Sequence, residues 1–187
     1  MQLRDRLGIH PENIHFELAL KNKNVDLGVI EKDELKMVIS IRSQSSSIRK
    51  NFTNNINGLQ GEIVGLKNIY PNIVAGVLYL LKKRDLTDNY DCLEYYLQNI
   101  PRKLLPIISG AKVGLDDCFD TGSIIIWDLD ENDRVSFLTD NYISQTFSID
   151  NFFDDLREHY SEIKLKSQFN LNQLDSQRFS HFLGPKE

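Results

Sequence analysis

Residues 14–42 read IHFELALKNKNVDLGVIEKDELKMVISIR, and this stretch decides the fold. Ile14, Phe16, Leu18 and Leu20 alternate with His15, Glu17 and Ala19, the period of a strand with one buried face. KNKN at 21–24 is a turn, and VDLGVI at 25–30 is a second strand. EKDE at 31–34 is another polar turn. It leads into LKMVISIR at 35–42, a third strand with Leu35, Met37, Ile39 and Ile41 on one side. Turns this short force neighbouring strands to be antiparallel, so 14–42 is expected to be a three-stranded meander.

Beyond it the period changes. SQSSSIRKNFTNN at 43–55 is polar, and from Asn55 to Tyr70 the apolar residues Ile56, Leu59, Ile63, Leu66 and Ile69 recur at helical spacing. Pro71 stops that helix. IVAGVLYLL at 73–81 is almost wholly apolar, as a strand covered on both faces should be. Strand, helix and strand of these lengths predict a right-handed parallel crossover. The expected class is α/β, with a mixed central sheet flanked by helices. Further on, 89–109 reads as helix broken at Pro101 and Pro106, and 123–129 with 134–138 as a hairpin around DEND. Residues 149–160 read as a helix with Phe152, Phe153, Leu156 and Tyr160 on its apolar side, and the chain from Lys164 as a polar tail. One domain over 1–187 is expected, with its core at 14–81, additions at 89–162 and a tail at 163–187.

Composition bounds the function classes. The 187 residues are 41% hydrophobic and 26% charged, enough for a real core. That balance excludes a disordered, collagen-like or disulfide-rich chain. Cys92 and Cys118 have no cysteine or histidine at ligand spacing and read as reduced thiols. The sequence shows no apolar run of membrane-spanning length and no signal-peptide core at its N-terminus, so a soluble cytoplasmic protein without membrane contact is expected. The net charge of −5 does not announce a nucleic-acid binder, but it is unevenly spread. No acid occurs between Glu34 and Glu62, where Lys36, Arg42, Arg49 and Lys50 lie, whereas 115–162 holds thirteen acids against Arg134 and Arg157. An anionic partner would be met at the acid-free stretch.

Three strands, a helix and a fourth strand, with Asp26 on the second strand in NVDLG and MVISIRSQ at 37–44 on the third, resemble the core of the PD-(D/E)XK nucleases. That group includes the type II restriction endonucleases. The resemblance covers about 14–81. It implies a metal-binding Asp on strand two, here Asp26. It also implies Glu-x-Lys on strand three, often with a Gln two residues on. Ser40-Ile41-Arg42 falls on the Glu-x-Lys positions and Gln44 on the Gln, so the chain departs from the pattern at 40 and at 42. Some restriction enzymes with serine on the strand supply the second carboxylate from the following helix. Here that helix offers Glu62 alone. Glu34-Leu35-Lys36 matches the letters literally, but it lies at the hairpin turn.

The resemblance thus implies a magnesium-dependent endonuclease acting on double-stranded DNA, as a homodimer whose two sites reach two strands. Asp26 and Glu62 would be hard oxygen ligands for Mg2+. Arg42 would neutralise charge on the phosphate, and Gln44 would orient water or substrate. Arg49, Lys50 and Asn51 are the candidates for DNA contact. The rival expectations are an inert nuclease-fold DNA-binding or assembly module, a nuclease of repair or mobile-element excision, and a protein-interaction domain. Each residue also has a plain structural reading: Asp26 as an edge-strand cap, Arg42 as the ion-pair partner of Glu17 or Asp26, and Glu62 as a surface residue. Asp128, Asp130 and Asn132 imitate the start of a calcium loop, but position six is Asp133 instead of glycine, so a polar hairpin turn is expected.

Overall fold

The computed structural model describes residues 6–20, 23–44, 48–83, 92–108, 118–132, 134–137 and 147–182. Six strands form one sheet in the order β1-β2-β3-β4-β5-β6: β1 Ile14–Leu20, β2 Lys23–Glu31, β3 Glu34–Gln44, β4 Val74–Lys82, β5 Thr121–Leu129 and β6 Val135–Phe137. The first three are an antiparallel meander, as the alternation predicts. Helix α1, Ile48–Ile69, then carries the chain back so that β4 lies parallel to β3, with Ser40 opposite Val77 and Gln44 opposite Leu81. β5 is parallel to β4, and β6 returns antiparallel to β5. The architecture is α/β with a mixed sheet, and α2 (Cys92–Ile108) and α3 (Ile149–Phe182) complete it.

Each sheet face has its own core. Leu59, Ile63 and Leu66 of α1 and Ile100 and Leu104 of α2 pack on Val38, Ala75, Val77, Tyr79 and Leu81. Phe152, Leu156 and Tyr160 of α3 pack on Leu27, Val29, Met37, Ile39 and Val74 of the other face. Gly76 sets the depth of α3, since a Cβ there would come within 2.9 Å of the Phe152 ring. β4 is therefore covered on both faces, which explains its unbroken apolar run.

Four expectations need correction. Helix α1 begins at Ile48 instead of Asn55. Phe52, four residues before Ile56, is buried edge-on against Tyr79 and extends the apolar stripe by a turn. Arg49, Lys50 and Asn51 consequently sit in the first turns of a helix and not in a loop. Helix α2 runs through both prolines. Burial of Ile100, Leu104 and Ile107 around them overrides a local penalty of about 3 kcal/mol for each. Helix α3 continues to Phe182, through most of the segment read as a tail. Finally, β1 does not present one buried face. Phe16 is 72% exposed, Ile14 packs toward the α3 side, and Leu18 and Leu20 pack toward the α1 side.

Among the described residues no helix is long and apolar enough to cross a membrane. Cys118 is buried and its thiol faces the Pro106 carbonyl, while the Cys92 side chain lies outside the described residues. The DEND turn is held by Asp130, whose Oδ1 accepts the N–H groups of Asn132 and Arg134 at 2.8 Å each.

A carboxylate from the crossover helix on the third strand

The sheet periodicity puts Val38, Ser40, Arg42 and Gln44 on the face that α1 covers. Glu62 is the one acid of α1, and it lies beside Ile63 at the edge of the buried stripe. The helix packing brings it down onto β3, where it is 3% exposed. Its Oε1 accepts the Ser40 hydroxyl proton and its Oε2 accepts an N–H of the Arg42 guanidinium. Ser40 is fully buried, whereas the Arg42 side chain is 43% exposed. The guanidinium thus runs from a buried carboxylate to solvent. A buried carboxylate needs such partners, because removing an ionised group from water without compensation costs many kcal/mol.

Gln44 continues the row. It is buried, and its Oε1 accepts the Tyr79 hydroxyl proton at 2.7 Å. Tyr79 lies on β4, opposite Arg42 in the parallel register. By hydropathy alone Tyr79 is one more apolar residue of IVAGVLYLL. The available signal was a hydroxyl inside a strand covered on both faces, where a buried phenol has to find a partner.

Asp26 approaches the same segment from β2. It is exposed, and its Oδ2 accepts the Ile41 N–H at 2.6 Å. The β2–β3 ladder pairs Leu27 with Ile39, and the carboxylate takes the next outward-facing N–H of β3. Asp26 and Glu62 therefore flank Ser40-Ile41-Arg42 from two sides, one through the backbone and one through the side chains. Arg42 pairs with Glu62, not with Glu17 or Asp26. Glu62 is a buried residue, not a surface one.

The literal motif lies elsewhere. Lys36 donates to Glu34 two residues away, and Glu34 faces Glu31 beside the β2–β3 turn. A cavity of about 560 Å³ lies at that end of β3, between Leu35, Lys36, Tyr70, Ile73 and Ile163, and holds none of the residues that flank Ser40 and Arg42. Of the DNA-contact candidates, Asn51 is exposed, and the side chains of Arg49 and Lys50 lie outside the described residues.

Chemically the cluster offers hard oxygens and one half-exposed cation. Among the described residues no three His, Cys, Asp or Glu side chains gather as a metal cage. Magnesium needs no such cage, since one or two carboxylates plus water and substrate phosphate complete its shell. The carboxylates of Asp26 and Glu62 are hard oxygen donors of the kind magnesium takes. No family model, no curated protein and no solved structure matches this chain.

Proposed function

We propose that the chain is a magnesium-dependent endonuclease of double-stranded DNA, similar to the type II restriction enzymes and acting as a homodimer. One observation carries the reading. A lone acid on the crossover helix is buried against Ser40 and Arg42, the positions where the nuclease pattern wants Glu and Lys. Nothing about a generic α/β sheet requires an ion pair there. Asp26, held on the Ile41 N–H, supplies the second carboxylate of the pattern.

In this reading Asp26 and Glu62 would hold Mg2+, which would supply Lewis-acid activation of water and screening of the phosphate charge. Arg42 turns its exposed part toward the scissile phosphate and neutralises charge that builds on its oxygens. A guanidinium is a permanent cation, so Arg42 acts as an electrostatic group and not as a base. Ser40 fixes the Glu62 carboxylate by donating to Oε1. Gln44, held by Tyr79, orients a substrate oxygen or water at the end of the row. The first turn of α1 contains no acid, and the N-terminus of a helix favours an anion such as phosphate.

The test is incubation of the purified protein with mixed plasmid DNA, with and without magnesium. Discrete fragments that need magnesium and disappear in Asp26→Asn support the reading, and a smear points to a nonspecific repair or mobile-element nuclease. No cleavage by the wild type overturns it. That last result would favour an inert DNA-binding or assembly module, a reading supported by the ion pair itself, since Arg42 and Glu62 satisfy each other without a ligand.

A further inference from the structure

Glu17 lies in the middle of β1 with φ of 50°, in the left-handed region. Among the described residues, the other non-glycine residues of positive φ, Lys32 and Asp33, make the β2–β3 turn, where consecutive left-handed residues are what a two-residue hairpin uses. Glu17 is in no turn. Phe16 pairs with Leu27 and Leu18 with Val25, so the register is the same on both sides and no residue has been inserted. A strained conformation of this kind persists only where its surroundings hold it, and such sites cluster at functional positions.

The two cores show what it does. Leu27 and Val29, with Ile14 opposite Val29, pack on the α3 side of the sheet. Val25 and Leu18, paired with each other, pack on the α1 side. Residues two apart in a regular strand share a face. The β1–β2 ribbon therefore rolls over at Glu17 and Asp26, the two residues between those pairs. Gly28 makes room for the roll, because a Cβ there would lie 2.5 Å from Leu18 Cδ2. Asp26, at the roll, extends along neither core and reaches across to the Ile41 N–H.

We propose that the left-handed backbone of Glu17 is the device that aims the Asp26 carboxylate at β3. Glu17 is thus a positioning residue that acts through its backbone, and its own carboxylate is dispensable. The link to catalysis rests on the nuclease reading above, whereas the aiming itself does not.

The discriminating pair is Glu17→Gly, which accepts positive φ, and Glu17→Val, which resists it. Two readouts are taken in the full chain: amide hydrogen exchange at Ile41 by NMR, and magnesium-dependent plasmid cleavage. Glu17→Gly should keep Ile41 protection and cleave at the wild-type rate. Glu17→Val should lose Ile41 protection by at least about tenfold, as an Asp26→Ala control does, while the Val38 and Val77 amides stay slow and cleavage falls in parallel. If the valine variant does not fold, Glu17→Ala is read in its place. Unchanged Ile41 protection in the valine or alanine variant would overturn the proposal. So would loss of cleavage in Glu17→Gly with Ile41 still protected, because the carboxylate would then be the working part. If the wild type itself does not cleave while Ile41 exchange follows this pattern, the nuclease reading fails and the aiming role stands.

Discussion

Strand β3 bears an acid–base pair at each end, and the two are held in opposite ways. Near the turn, Lys36 donates to Glu34, a neighbour on the same strand whose side chain is 70% exposed. At the far end, Arg42 donates to Glu62, which comes from a different element and is 4% exposed. The first pair matches the nuclease letters and lies within a single strand. The second breaks the letters twice and ties the crossover helix to the sheet. Charge spacing along a strand is thus a poor guide to a site; what matters is which pair the packing takes out of water.

The largest effect should come from stranding the buried acid. Arg42→Met takes the guanidinium away from the buried Glu62 carboxylate, and removing one partner of a buried pair costs about 3–5 kcal/mol. Because Arg42 is partly exposed, about 3 kcal/mol is expected, read as a lower urea midpoint at constant slope. Arg42→Met with Glu62→Gln should recover part of the loss, since no buried charge then remains. A double variant no more stable than Arg42→Met would mean that the pair is not what holds the helix end to the strand.

The same contrast explains what was legible in the sequence. The meander, the crossover and β4 could be read because alternation and unbroken apolar runs report burial directly. Glu62 could be placed because it is the only acid on its helix, next to Ile63 on the buried stripe. The roll at Glu17 could not be read. Ile14, Phe16, Leu18 and Leu20 alternate as a flat strand would, and a single left-handed residue leaves no mark in a hydropathy pattern. Nor could the length of α1 and α3 be read from the sequence, because their polar stretches hold too few apolar residues to show a helical period. Helix α2 is legible as helix but not as one unbroken helix, because tertiary burial overrides its two prolines.

A middle-sized effect is expected where the row ends. Tyr79→Phe removes the hydroxyl that donates to the buried Gln44 Oε1 and leaves the ring against Phe52. Loss of one such hydrogen bond costs about 1 kcal/mol by urea unfolding. If Gln44 orients a reactant, cleavage should fall by more than this loss of stability explains, with the magnesium requirement unchanged. A variant as active and as stable as the wild type would detach Gln44 and Tyr79 from the site and confine it to Asp26, Ser40, Arg42 and Glu62.

The smallest effect should come from the pair that the letters favour. The hydrogen bond from Lys36, with its charge, holds the Glu34 carboxyl below its ordinary value. A lowered folded pKa contributes stability above the ordinary carboxylate range and loses it as pH falls through the folded value. Glu34 is exposed, however, so solvent screens the pair. Lys36→Ala should therefore move the urea midpoint at pH 7 by no resolvable amount and leave cleavage intact. It should still return the Glu34 carboxyl toward its ordinary pKa in a carbon-13 NMR titration. These two results together would show an ion pair that is formed yet holds nothing. Loss of magnesium-dependent cleavage in Lys36→Ala, with the fold intact, would reverse the comparison: the literal Glu34-Leu35-Lys36 motif would be the working one, and the Glu62 strap would be scaffolding.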